Sequence, residues 1–151
     1  NERCFIRLLG DMHSSNFVID VTPDFEEVHY RMRAIDFDQQ SFEPNKKVYL
    51  PQFFKQNLYF VDLAAKNLTT ESVKQYQREE RALIANRIRS ARYQIKDLLD
   101  VMVKDNLAPP DNMTQLRAEL AEHYESKEFL KCKTMGDLVK TSLKMIVKRK
   151  I

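Results

Sequence analysis

A carboxylate at Asp11, a carboxamide at Asn16 and a second carboxylate at Asp36 stand on two short polar segments. The first is Gly10-Asp11-Met12-His13-Ser14-Ser15-Asn16 and the second Ile35-Asp36-Phe37-Asp38, each running into or out of an apolar stretch. These are the groups needed to activate a hydroxyl and to hold magnesium against a nucleotide. Such chemistry needs an orienting base and hard oxygen ligands for Mg²⁺, of which a protein often supplies only one or two carboxylates. Asp11 would accept the hydroxyl proton. Asn16 would offer the metal a neutral carbonyl oxygen and Asp36 a charged one, with Asp38 a candidate further metal contact.

The flanking sequence must bring the two segments together. Phe17-Val18-Ile19-Asp20-Val21 is a β-rich run closed by the turn signal Thr22-Pro23-Asp24. From Val28 to Asp36 the chain alternates, with Val28, Tyr30, Met32 and Ala34 on one face. A β-hairpin results, with Asn16 just before its first strand and Asp36 at the exit of its second, which returns Asp36 toward Asn16. Residues 4–9 do not choose between strand and helix, and 39–51, with Pro44 and Pro51, reads as irregular. A helix is expected over 52–67, followed by Thr70 as an N-cap. A long helix over 71–106 follows from the stripe Ile84, Ile88, Ala91, Ile95, Leu98 and Met102, with Pro109-Pro110 ending it. Two more helices, about 111–126 and 135–149, take Asp111 and Thr134 as caps and bury Leu116, Leu120, Tyr124 and Leu138.

Composition bounds the rest. At 151 residues, 43% hydrophobic and 31% charged, the chain has the make-up of one globular domain or a fragment of one. No apolar run approaches the roughly 20 residues that span a bilayer, so no membrane role is expected. Cys4 and Cys132 form no CxxC pair, which points away from a disulfide framework or zinc site and toward a cytoplasmic setting. Gly10 and Gly136 are the two glycines, too few for a Gly-rich phosphate loop. The chain opens on Asn1 and enters an apolar run at once, the expectation for a piece of a longer protein. Residues 1–70 carry net −2 and residues 71–151 net +5, the excess lying in Lys140, Lys144, Lys148, Arg149 and Lys150. A solvated helical face is the plain meaning of such a run. His29 and His123 show no partner in the sequence and take no role.

Gly10-Asp11-x-His13-x-x-Asn16 followed by Ile35-Asp36-Phe37-Asp38 resembles the catalytic core of the aminoglycoside phosphotransferase and choline kinase group, within the protein-kinase-like superfamily. Members carry a GDxHxxN loop, a short hairpin and an IDF or IDW segment; Asp62-Leu63-Ala64 matches a helical Asp-Leu-Ala that often follows. Leu9 stands where the family usually has His, and Asp38 where protein kinases have glycine. The resemblance implies an α+β fold, a protein-kinase-like C-terminal lobe with a catalytic β-hairpin on a mainly helical body. Residues 1–70 would hold the catalytic loop, metal-site hairpin and first helix, and 71–151 a helical subdomain of the same lobe. It implies Asp11 as catalytic base, His13 as the histidine bracing the loop beside it, and Asn16 and Asp36 as ligands of nucleotide-bound metal. The cofactors would be Mg²⁺ and ATP. The partners would be a small-molecule hydroxyl acceptor and the missing N-terminal lobe of the same protein.

Three other readings compete. Asp11, His13, Asp36 and Asp38 could form a divalent-metal phosphohydrolase site, and Asp36-Phe37-Asp38 matches the DxD of haloacid-dehalogenase-type phosphatases, although Gln39-Gln40 departs from the usual continuation. A non-catalytic pseudokinase or partner-binding module would keep the same residues. A nucleic-acid binder is not favoured, because no aromatics interleave the basic residues of the tail.

Overall fold

The computed structural model describes residues 1–148 and is a mixed α+β fold, mainly helical with one antiparallel hairpin. Arg149 and Lys150 of the basic tail, and the last residue of the helix expected over 135–149, lie outside the described residues.

Residues 4–9 resolve as the short helix α1 (Glu2–Arg7) and its exit. A helix of six residues leaves most of its carbonyls without an intrahelical partner, so other donors must meet them. Leu9 N–H bonds to Cys4 O at 2.9 Å and Leu8 N–H to Phe5 O at 3.1 Å, with Leu8 left-handed at φ 53°. The Ser142 hydroxyl donates to Ile6 O at 2.7 Å, and Gln40 Nε2 to Arg7 O at 2.8 Å. The end of α1 is thereby tied to the helical body on one side and to the segment after the hairpin on the other.

Strands β1 (Phe17–Pro23) and β2 (Val28–Ala34) form the expected hairpin, in the register Phe17↔Ala34 through Pro23↔Val28. The second strand stops at Ala34, two residues short of Asp36. Phe17, Ile19 and Val21 share a face with Ala34, Met32 and Tyr30. The distal part of that face is open, and Tyr30 is 72% exposed.

The expected 52–67 helix begins later. Three 3-10 turns occupy Lys46–Tyr49, Pro51–Phe53 and Lys55–Asn57, and α2 (Leu58–Asn67) follows, with no residue buried. Its neighbour α3 (Thr70–Ser90) is capped by Thr69 rather than Thr70, in a reciprocal capping box with Ser72. The long 71–106 helix is in fact two. Ala91 leaves helical geometry at φ −102°, ψ 25°, and α4 (Arg92–Met102) starts afresh. The break shifts the phase of the stripe, so Leu99 is buried while Leu98 is 60% exposed. Proline does not end α4. A Cβ on Gly136 would collide with the Met102 carbonyl, so the chain packs there closely enough to need glycine, and α4 stops against it. Pro110 instead opens α5 (Pro110–His123) at its first position, where its missing N–H costs nothing, and Asp111 is not a cap. Thr134 does cap α6 (Met135–Lys148): its Oγ1 accepts from Asp137 N–H while Asp137 Oδ2 accepts from Thr134 N–H.

Helix α6 packs against α1, α3 and α4 and presents Leu138, Val139, Ser142, Met145 and Ile146 inward, a continuous helical stripe. The main core joins Phe5, Leu8 and Tyr49 to Leu116, Leu120, Phe129 and Leu138, so residues from both halves of the chain share it. Ion pairs fasten α1 to α3: Arg3 grips Glu80 with two bonds of 2.5 and 2.7 Å, and Arg81 meets Glu2 at 2.6 Å. The Arg3 guanidinium holds the Glu80 carboxyl below its usual range. His29 lies 3.8 Å from Asp24, and the His123 ring meets Phe5 edge-on at 4.6 Å. The Cys4 and Cys132 thiols are both free, and among the described residues no helix is long and apolar enough to cross a membrane.

Burial separates two leucines of the helical body. Leu120→Ala, at 0% exposure, is expected to lower unfolding stability by about 3 kcal/mol. Leu98→Ala at 60% exposure should stay within about 0.5 kcal/mol. Urea midpoints measure both, and comparable losses at the two sites would contradict the phase shift at Ala91.

Candidate functional site

Two backbone clamps hold the candidate segments face to face. At the hairpin end, Ile35 N–H bonds to Asn16 O at 3.1 Å, one step beyond the last strand pair. At the other end Leu9 and Gln40 form an isolated antiparallel bridge, Gly10 N–H reaches Gln39 O at 3.3 Å, and Ser41 N–H reaches Leu8 O at 2.8 Å. Residues 11–15 and 36–38 are the two short spans between these clamps. Asp11, His13, Asn16, Asp36 and Asp38 therefore lie on, or at the edge of, one closed backbone ring.

Within the first span, Asp11 is left-handed at φ 54°, a conformation that Asp tolerates better than most residues and that costs on the order of 1 kcal/mol. Its carbonyl accepts from His13 N–H at 2.9 Å and from Asn16 Nδ2 at 2.8 Å. That second bond orients the Asn16 amide: nitrogen is spent on the loop, and Oδ1 has no hydrogen bond among the described residues. An amide oxygen held in this way is a suitable hard ligand for Mg²⁺. His13 Nε2 sits 3.6 Å from Asp11 Oδ1 and 3.5 Å from Asn16 Nδ2, its Nδ1 accepts from Ser15 N–H at 3.3 Å, and its ring lies edge-on to Phe54. The histidine spans the loop as a brace.

In the second span, Asp36 Oδ1 accepts from Asp38 N–H at 3.3 Å, a local turn that sets the direction of the carboxylate. Asp38 is exposed. Among the described residues no three His, Cys, Asp or Glu side chains converge tightly enough to hold a metal ion by themselves. The oxygens the ring could offer a cation are the Asp36 carboxylate and the Asn16 amide oxygen, fewer than a metal ion needs without other ligands.

Two supports were not legible in the motif. Asn57, 4% exposed, donates through Nδ2 to Met12 O at 3.0 Å and Pro51 O at 2.9 Å, pinning the loop from beneath. Its Oδ1 is buried without a partner. A lone Asn in an aromatic-rich stretch gives no sequence signal for this. The Leu9–Gln40 bridge was equally hidden, because Gln39-Gln40 reads only as a polar pair. Asp62-Leu63-Ala64 falls on α2, and none of its three residues is buried.

Gly10 is required by close approach. A Cβ there would come within 2.8 Å of Gln39 O and 3.2 Å of Gln39 Cβ. Gly10→Ala is expected to open the second clamp at a cost of roughly 1–3 kcal/mol. Amide exchange should then quicken at Gly10 and Ser41 while the Leu120 amide stays protected; unchanged exchange at both would contradict the clamp.

Searched against family models, curated proteins and solved structures, the chain matches none.

Proposed function

We propose that this chain carries the catalytic and metal-holding residues of an ATP- and Mg²⁺-dependent phosphotransferase acting on a small-molecule hydroxyl, and that its fold is a kinase-like C-terminal lobe. The observation behind this reading is the closed ring that holds Asp11 and Asn16 opposite Asp36. Asp11 takes the proton of the acceptor hydroxyl as its oxygen bonds to the γ-phosphorus. The bond to the bridging oxygen breaks and ADP leaves. Asp36 and Asn16 Oδ1 would hold Mg²⁺, which when bound would supply charge neutralisation on the nucleotide phosphates. His13 keeps the loop in shape, and Asp38, exposed beside Asp36, is a further metal contact or its polar neighbour.

Phosphate cover would come from an N-terminal lobe of the same protein, since the two glycines here are each committed to close packing. The unburied α2 and the open hairpin face give apolar surface for such a neighbour. The acceptor is left as a hydroxyl compound, because acceptor choice does not follow from this core. A cytoplasmic setting is in keeping with two free thiols.

The test is Mg²⁺-dependent ATP consumption by the full-length protein. Asp11→Asn should leave Mg·ATP binding intact and lower kcat by roughly 10²–10⁴. Asp36→Ala should remove Mg·ATP binding itself. Turnover surviving both changes would refute the assignment, and phosphate release from esters without ATP would favour a metal hydrolase.

A further inference from the structure

A cavity of about 450 Å³ lies between α1, β2, α3, α4 and α6. Its volume suits a small organic molecule. None of Asp11, His13, Asn16 or Asp36 lines it, so it is separate from the candidate site, although Phe37 forms part of its wall.

Its chemistry is two-sided. Five arginines line it, Arg3, Arg7, Arg31, Arg33 and Arg87, and no described Asp or Glu does. Two of the five are committed elsewhere, Arg3 to Glu80 and Arg33 to Asp20 at 2.6 Å. Arg7, Arg31 and Arg87 have no carboxylate within ion-pair distance among the described residues. Arg7 donates through Nε to Arg3 O, and burial together with the charge of Arg3 pulls its pKa down. Apart from Gln40, whose amide is spent on Arg7 O, the remaining wall is apolar and includes Ile84, Ile88, Leu98, Leu99 and Leu143. Leu98 and Phe37 are 60% and 50% exposed, a large apolar area left in contact with water.

We propose that this cavity is a binding site for an amphiphilic organic anion, with a carboxylate or phosphate monoester between the arginines and an apolar body on the leucine and isoleucine wall. An anion supplies the direct ion pair that Arg7, Arg31 and Arg87 do not make with Glu80 or Asp20, and guanidinium forks take either headgroup with two parallel bonds. An apolar body removes the exposed wall from water at about 25 cal/mol per Å². A neutral lipid meets the wall and leaves the arginines unanswered; an inorganic anion does the reverse. A bound body would also touch Phe37, between Asp36 and Asp38, so occupancy has a direct route to the segment that carries the proposed metal ligand.

Isothermal titration of the chain with decanoate, decyl phosphate, decanol and inorganic phosphate tests this. At least one of the two amphiphilic anions should bind at one site per chain, ten or more times tighter than decanol and than inorganic phosphate, and the better headgroup identifies the anion class. Arg31→Gln and Arg87→Gln should each weaken it roughly tenfold, and 0.5 M salt should weaken it further. Both arginines are exposed and make no ion pair within 4 Å, although Asp20 stands opposite Arg31 in the hairpin and Glu80 lies within electrostatic reach of Arg87. These variants should therefore fold, which circular dichroism verifies. Leu98→Gln, on the apolar wall, should weaken binding without adding a charge beside the arginines. Equal binding of decanol, equal binding of inorganic phosphate, indifference to both arginine changes, or no saturable binding of either anion would each overturn the proposal.

Discussion

The carbonyls at the end of α1 are the constraint on which the site depends. A six-residue helix that ends inside the core cannot leave them to water, and each buried acceptor left unmet would cost on the order of 1–3 kcal/mol. The structure meets them from three directions: the turn through Leu8 and Leu9, the Ser142 hydroxyl of α6, and the Gln40 amide. The first bends the chain sharply into Gly10-Asp11. The second fixes that bend to the most buried helix of the body. The third draws in the segment that follows the hairpin, so the solution to a backbone problem also sets the distance between the two candidate spans.

From there the geometry follows in short steps. Gln40 held at Arg7 brings Gln39 against Gly10, where only a residue without a Cβ fits. The hairpin register closes the other end through Asn16 and Ile35. With both ends fixed, the spans between are too short to wander, and local bonds finish the work: Asn16 turned by the Asp11 carbonyl, Asp36 by the Asp38 amide, the loop floor pinned by Asn57. Preorganisation of this kind is what electrostatic catalysis asks of a scaffold, because oriented dipoles need not reorganise as charge moves.

What the sequence disclosed divides along the same lines. Features set by neighbours in the chain were legible: the polar spans, the hairpin (although Thr22 and Pro23 pair within β1 and the turn itself runs from Asp24 to Glu27), the α5 and α6 stripes, the Thr134 cap. Features set by distant neighbours were not. The break at Ala91 involves no glycine or proline, and the end of α4 is decided by Gly136, thirty-four residues past Met102. Alternation in β2 marked a face correctly but not its cover, and Met32 on that face is 56% exposed. Asn57 and Gln40 act through backbone carbonyls far away in sequence, contacts that no residue type announces.

The central claim is that Asn16 and Asp36 share one metal-bound nucleotide. Paramagnetic broadening by Mn²⁺·ADP, recorded on the backbone amides of the full-length protein, tests it most directly. The strongest broadening is expected at Asn16 and at Asp36–Phe37. Broadening centred on exposed carboxylates such as Asp24 and Glu26 at the hairpin turn, with Asn16 and Asp36 left sharp, would contradict it.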